Sequence, residues 1–426
     1  MPDAYPHYRR NFIALVMDFV GFGLGFAFYS PSTVLPAFVS ELTSSAPLIG
    51  LISTLLMGSW LLPQLMAASY LRGRKRQKPY LVIPAAIGRS TFFLLAAMVY
   101  LWAGRWPGLM LIVFYLCMTT FMCCDAVTCV AWFDMWAKMI PSARRARMVG
   151  LGQVLAGLMT IGAAELVRQI LGPAGPRFPA NYALLFLLAG IGMMISLAAL
   201  LCLREPPGDV REQHTPYQRF LPQLGHMLRE DADFRLLSAV RLLAGLGGLA
   251  GPFYIIYATV GLGMPATTIG LFITAQSVGS ISAGFLLGYL NERRGSRVVI
   301  QVSRMLALVQ PLLALAFTVL HGSVGSVSPP TYAAIFLLMG IINNSMMPGF
   351  FSYLVDMAPE GERPLYIGLS NTLSGVLMIV PLVGGWLLEA TSYPVLFTVT
   401  ACGAALSLLF ALRLAPLPRY QSASTQ

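Results

Sequence analysis

The sequence predicts an all-α integral membrane protein, on the strength of its composition, its long apolar segments and a repeat within the chain. Of its 426 residues, 57% are hydrophobic and only 11% are charged. A soluble domain carries about 25% charged residues, so this chain has too few of them to cover a surface that faces water. We therefore expect most of its surface to face lipid.

Long apolar segments recur along the whole chain. A transmembrane helix needs about 20 predominantly apolar residues. Segments of that kind fall into two groups of six: 11–37, 47–71, 80–103, 108–134, 148–171 and 181–203, then 234–260, 266–290, 298–320, 331–356, 365–388 and 393–413. This pattern predicts an N-terminal six-helix bundle over 1–203 and a C-terminal bundle over 234–426. The charged stretch 204–233 between them is predicted to be a cytoplasmic linker with an amphipathic helix on the membrane surface.

Basic residues indicate which way the chain crosses the membrane. Loops assigned to one side carry clusters around Arg74, Arg145 and Arg294, whereas the opposite loops carry only Arg105 and Arg177. Lysine and arginine accumulate on the cytoplasmic side, so both termini are predicted to be cytoplasmic. The net charge of +11 comes from these clusters, and we expect no nucleic-acid partner. Many arginines, few lysines and no eukaryotic targeting signal favour a bacterial inner membrane.

The two groups of segments resemble each other. Met139, Pro141 and Arg145 match Met357, Pro359 and Arg363 at one constant offset. Further matches keep their order along both halves: Ile49-Gly50-Leu51 with Ile269-Gly270-Leu271, Gly23-Leu24-Gly25 with Gly245-Leu246-Gly247, and Tyr182 with Tyr393. Two parallel six-helix repeats are a transporter architecture in which the binding site lies between the halves near mid-membrane. The pattern thus predicts two pseudo-symmetric bundles.

One loop carries a family motif. The segment from Gly288 through Glu292, Arg293 and Gly295 to Arg297 resembles the loop signature of the major facilitator superfamily, G-x-L-x-[DE]-R-x-G-x-[RK]. It falls between segments 8 and 9, where that family carries its second copy, while the first copy, after segment 2, is degraded. The resemblance implies the twelve-helix fold of that superfamily over essentially the whole chain. We interpret these loop residues as a cytoplasmic gate, with Glu292 accepting hydrogen bonds from helix amides; charges that only set topology are the alternative.

Ionisable residues inside the apolar segments are the candidate site. Charges within a membrane are costly and usually face a cavity or each other. At ~1.5 Å per residue, five of them fall in one layer of the cytoplasmic half, about 10–15 Å from the helix ends: Asp18, Arg89, Asp125, Arg241 and Arg304. The family resemblance implies that segments 1, 4, 7 and 10 line the central path. Asp18, Asp125 and Arg241 are then cavity candidates, and Arg89 and Arg304 are supporting charges.

Asp125 is the sharpest candidate for a proton- or substrate-binding group. Its repeat partner is Asn343, followed by Asn344, so that one half offers a carboxyl and the other neutral amides. A low dielectric favours the neutral form of a carboxyl, which suits proton exchange. The alternative is a structural ion pair of Asp125 with Arg89. Arg241 either binds an anionic group of a substrate or neutralises Asp18.

These observations predict a secondary active transporter that moves a small organic solute by alternating access, coupled to protons and active as a monomer. A uniporter of the same fold and a non-transporting receptor are the alternatives. The sequence contains neither H-E-x-x-H nor G-x-S-x-G nor a P-loop, so we expect no enzyme and no direct use of ATP. Its six cysteines lack zinc-ligand spacing, and we expect no metal and no cofactor.

Overall fold

The structure, a computed structural model, describes residues 7–71, 76–205, 229–324, 327–358 and 363–416. Within these ranges the chain is almost entirely helical and contains no β-strand. They include twelve helical stretches that are long and apolar enough to cross a membrane. The predicted all-α membrane fold is therefore confirmed. The helix predicted within the linker falls on 206–228, outside the described residues.

The chain divides into two compact units. Unit 1 comprises residues 1–44, 52–213 and 265–274, and unit 2 comprises 45–51, 214–264 and 275–426. The sequence-based division into 1–203, 204–233 and 234–426 does not anticipate that residues 45–51 group with unit 2 and residues 265–274 with unit 1. That division stays a prediction.

The six spans of the N-terminal half are built from seven helices. Span 1 contains α1 and the short α2, which are separated by a turn at Ser30–Thr33. Spans 2 to 6 are single, uninterrupted helices. The bounds are α1 Tyr8–Tyr29, α2 Val34–Leu42, α3 Ala46–Leu71, α4 Lys78–Trp102, α5 Pro107–Met139, α6 Ser142–Ile170 and α7 Ala180–Cys202.

The six spans of the C-terminal half include three that are interrupted. Span 7 consists of α8 (Ala232–Gly245), a 3₁₀ turn (Leu246–Leu249), α9 (Phe253–Ile256) and a π-helical turn (Tyr257–Gly261). Span 10 consists of α12 (Pro329–Asn344), a π-helical segment (Met346–Phe351) and α13 (Ser352–Met357). Span 11 consists of α14 (Arg363–Ser374), a 3₁₀ turn (Gly375–Ile379) and α15 (Val380–Ala390). Spans 8, 9 and 12 are α10 (Thr268–Arg294), α11 (Ser296–Val324) and α16 (Tyr393–Leu412).

Glycine and proline explain where the interrupted spans break. Gly247 and Gly248 weaken the helix in span 7, and Pro252 cannot donate a backbone hydrogen bond. Pro348 lies within the π-helical segment of span 10. Such breaks are tolerated within a membrane because neighbouring helices supply hydrogen bonds to the freed backbone groups. Unit 2 therefore contains backbone that departs from α-helix at membrane depth.

The loop motif forms a tight link between spans 8 and 9. Gly295 adopts a positive φ of 83°, and its amide donates to the carbonyl of Asn291 at 2.9 Å. A residue with a side chain rarely adopts this conformation, so the motif requires glycine here. Beside it, the guanidinium of Arg293 lies 4.6 Å from the ring centroid of Tyr289, and Arg297 donates to the carbonyl of Leu412 at 3.4 Å.

Candidate functional site

Close packing of α1 against α7 brings Asp18 to its partners. A Cβ added at Gly192 would lie 2.6 Å from the backbone nitrogen of Gly25, and one at Gly21 would overlap the backbone nitrogen of Ser196. Glycines of this kind allow helix backbones to approach closely in membranes. The contact therefore holds the Ser196 hydroxyl against the helix face that carries Asp18.

Asp18 is buried and fully engaged. Its carboxylate accepts a hydrogen bond from the hydroxyl of Ser196 and another from Nε1 of Trp132 at 2.9 Å. Nη2 of Arg89 lies 3.6 Å from the same carboxylate, and the two side chains are only 4% and 10% exposed. Asp18 thus finds its counter-charge within its own unit, as a buried ion pair with span 3.

Asp125 lies beside this pair but is less enclosed. Gly88 allows α4 to approach Phe121 and Cys124 of α5, so that Arg89 and Asp125 become neighbours. Arg89 interacts electrostatically with both carboxylates. Asp125 accepts one hydrogen bond, from Nε1 of Trp60 at 3.2 Å, and within the described residues it forms no ion pair. Asp125 is only half-buried and Trp60 is exposed, so the cluster opens at this carboxyl.

An aromatic layer closes the cluster about one helical turn beyond Arg89 and Asp125. The ring of Phe92 lies 4.8 Å from that of Phe121, and Tyr29 lies 5.0 and 5.7 Å from the two of them. All three side chains are buried. Such a layer excludes water from one side and leaves the Trp60 side open.

The guanidinium of Arg89 is not fully satisfied. Two of its nitrogens, Nε and Nη1, are buried and have no hydrogen-bond partner in the part of the chain that the structure describes. Buried donors without a partner are uncommon and costly. Asp18 pairs with this guanidinium and Asp125 lies near it, so protonation of either carboxyl changes the net charge of the three groups.

Arg241 lies in unit 2 among neutral partners. It donates to Oγ of Ser370 at 2.5 Å and to Oδ1 of Asn371 at 3.2 Å, both on α14. Its guanidinium carbon lies 5.4 Å from the ring centroid of Phe351 on span 10. The side chain is half-buried.

The other predicted residues of unit 2 are dispersed. Arg304 is buried and packs over Phe350 at 5.3 Å. Asn344 donates to the carbonyl of Ser280 at 2.5 Å, so it links spans 10 and 8, whereas Asn343 is exposed. Glu292 is also exposed, and no acceptor contact with helix amides is formed by it among the described residues.

Sequence reasoning missed the hydrogen bonds that Ser196 and Trp132 donate to Asp18 and that Trp60 donates to Asp125. The internal repeat contains one signal that could have identified Ser196. The offset of 211 that relates Tyr182 to Tyr393 also relates Ser196 to Ser407. Ser407 donates at 2.9 Å to the carbonyl of Val240, which matches Asp18 in the other repeat. The same serine contact therefore serves a carboxylate in one half and a backbone carbonyl in the other.

Comparison with known proteins agrees with this architecture. The described residues include twelve apolar helical stretches, several of which carry charged side chains, as in a polytopic membrane protein. The family model of the Major Facilitator Superfamily matches residues 236–425. No curated protein matches the sequence closely. The predicted resemblance to this superfamily is confirmed, and no subfamily can be assigned.

Solved structures share the fold over nearly the whole chain. A bacterial homologue of the iron transporter ferroportin, in an inward-facing state, aligns with a TM-score of 0.69 and 15% identity, covering 95% of this chain and 98% of its own. The nucleoside transporter NupG aligns at 0.66 and 14%, covering 95% and 100%. A D-xylose–proton symporter aligns at 0.70 and 13%, covering 95% and 98%. At such low identities the likeness concerns the fold.

Proposed function

We propose that this protein is a secondary active transporter that moves a small organic solute by alternating access and couples that movement to protons. The observation that carries the coupling is the cluster of Asp18, Arg89 and Asp125 in unit 1. We place the protein in a bacterial inner membrane with both termini in the cytoplasm. It is active as a monomer, and it is a transporter rather than an enzyme.

Charge counting supports a proton as the coupling ion. With all three groups ionised, two carboxylates and one guanidinium carry a net charge of −1. In a low dielectric such an excess is unfavourable, and the binding of one proton removes it. Asp18 is enclosed by Arg89, Ser196 and Trp132, so Asp125 is the group that exchanges the proton. Trp60 orients this carboxyl without supplying a positive charge.

The structural relatives support transport but do not identify the solute. Their names refer to iron, a nucleoside and D-xylose, which are a metal and two kinds of organic solute. One of them is named a D-xylose–proton symporter, which supports the proposal of proton coupling. A uniporter of the same fold, in which the carboxylates are structural, is the second candidate.

Proteoliposomes with an internal pH dye test the proposal. The purified protein is supplied with a panel of organic solutes, and the wild type is compared with Asp125→Asn. We expect solute-dependent proton movement in the wild type and its loss in Asp125→Asn. Glu165→Gln is the matched control, because Glu165 is also an acidic residue of a span but is exposed and paired with Arg168 at 2.6 Å.

The other outcomes separate the alternatives. Equal solute flux in both proteins without proton movement would identify a uniporter and make Asp125 structural. Proton movement that survives in Asp125→Asn but disappears in Asp18→Asn would move the proton site to Asp18. Absence of flux for every solute would favour a non-transporting receptor.

A further inference from the structure

Arg241 is a cation inside a span, and no anionic side chain among the residues that the structure describes pairs with it. It lies nine residues after the start of span 7 at Ala232, which is about 13 Å along the helix at ~1.5 Å per residue. Its hydrogen-bond partners, Ser370 and Asn371, are uncharged. In the described part of unit 2 no carboxylate forms an ion pair with it. Arg89, the buried arginine of unit 1, differs because it has Asp18.

The surroundings of Arg241 are those of a binding site rather than of a sealed core. Its side chain is half-buried, so a solute can reach it, whereas Arg304 of the same unit is only 4% exposed. A charge within a span usually faces a water-filled cavity or a partner charge. Since the described residues of this unit supply no partner charge, the position suits a solute anion that binds and dissociates.

The three interrupted spans meet at this arginine. Arg241 precedes the 3₁₀ turn of span 7 by five residues, and Phe351 ends the π-helical segment of span 10. Asn371 precedes the 3₁₀ turn of span 11 by four residues. Segments of π-helix occur frequently at functional sites, and broken spans are where transporters hold their solutes. Each of the three interrupted spans thus contributes a residue to the surroundings of Arg241: span 7 carries it, Phe351 of span 10 lies under it, and Asn371 of span 11 accepts from it.

The chemistry of the site indicates which anion fits. One guanidinium carries one positive charge and binds a planar carboxylate through two parallel hydrogen bonds. A phosphate monoester carries about −1.5 to −2 and would keep excess negative charge in the membrane. Phe351 underlies the guanidinium, and Met347 of the same segment is 68% exposed, so an apolar surface adjoins the charge.

We propose that Arg241, with Ser370 and Asn371, binds the carboxylate of a monoanionic solute whose apolar body lies against the π-helical segment of span 10. This inference rests on the proposed transport function and specifies the chemical class of its solute. Each residue that it uses belongs to unit 2.

Binding to the purified full-length protein in detergent tests the assignment without any proton gradient. The midpoint of thermal unfolding is followed across concentrations of three matched pairs: benzoate and benzamide, hexanoate and hexanamide, and N-acetylphenylalanine and its amide. We expect at least one carboxylate to bind the wild type about tenfold or more tightly than its amide. Arg241→Gln should abolish this preference. Arg241→Lys keeps the charge but lacks the two parallel N–H donors of the guanidinium, so it should retain part of the preference.

Arg235→Gln is the matched control, because it removes the same charge from an exposed position of the same helix. It should leave the preference intact. The assignment is overturned if no carboxylate binds the wild type better than its amide, or if the preference persists in Arg241→Gln. Should Arg241→Gln fail to fold, an undiminished preference in Arg241→Lys overturns it equally. Asp125→Asn keeps the preference, so failure of proton coupling and failure of this site give different results.

Discussion

Arg89 lies between two carboxyl groups, and its contacts with them are unequal. Nη2 lies 3.6 Å from Asp18, while Asp125 accepts its hydrogen bond from Trp60 instead. The inequality assigns different roles to residues that the sequence placed in one layer. Asp18 and Arg89 hold spans 1 and 3 together, and Asp125 is left with a hydrogen bond that is easily exchanged. The choice of partner depends on how each helix is rotated about its axis, which hydropathy does not reveal.

The buried pair leads to a prediction about stability. Arg89→Met removes the counter-charge and leaves Asp18 buried and unpaired, which costs about 3–5 kcal/mol in such pairs. We expect a clearly lower midpoint of thermal unfolding in detergent. The double variant Asp18→Asn/Arg89→Met removes both charges and should recover much of the loss. If the double variant is no more stable than Arg89→Met, the two side chains are not coupled. Glu165→Gln, at an exposed pair, should change the midpoint little.

At the scale of helices, similar glycine motifs have different consequences in the two halves. The glycines of span 1 lie within the continuous helix α1, where Gly21 and Gly25 pack closely against α7 and Gly23 packs closely against Ala156 of α6. In span 7, Gly247 has no atom within 4 Å of the place of its Cβ, and the helix gives way to a 3₁₀ turn. The glycine pattern is the same in the two repeats, so the sequence does not distinguish these outcomes. Only the packing partner decides between close approach and interruption.

Close packing of α1 and α7 can be tested with single methyl groups. Gly192→Ala places a Cβ 2.6 Å from the backbone nitrogen of Gly25, and backbone atoms cannot move aside as a side chain does. Overpacking of this kind costs about 1–3 kcal/mol, so we expect a lower unfolding midpoint. Gly162→Ala is the control, because no atom lies within 4 Å of its Cβ position on α6. That variant should be unchanged, or more stable by up to about 1 kcal/mol through helix propensity. Equal effects of both substitutions would contradict the packing argument.

Over the whole molecule, the sequence predicts the number of spans and their approximate limits well. The segments predicted at 148–171 and 234–260 are observed as Arg147–Ile170 and Ala232–Gly261. Span length follows from bilayer thickness, which is why hydropathy suffices. The interruptions of spans 7, 10 and 11 were not predicted, because a window of about 20 residues averages over the hydrogen bonds of individual turns. The internal repeat predicts equivalent positions, yet the carboxylates Asp18 and Asp125 lie in unit 1, whereas Arg241 of unit 2 has no ion-pair partner among the described residues.

The orientation of the molecule is open to a direct experiment. The loops with few basic residues contain Arg105, which the structure leaves exposed, and one of the loops with several basic residues contains Arg294, also exposed. If both termini are cytoplasmic, a membrane-impermeant maleimide added to intact cells labels Arg105→Cys but not Arg294→Cys. Both variants are made in a background in which the six native cysteines, such as exposed Cys202 and Cys402, are replaced. Permeabilised cells provide the control, because both sites should then react. Labelling of Arg294→Cys alone in intact cells would show that the topology is the inverse of the one proposed, with both termini outside the cytoplasm.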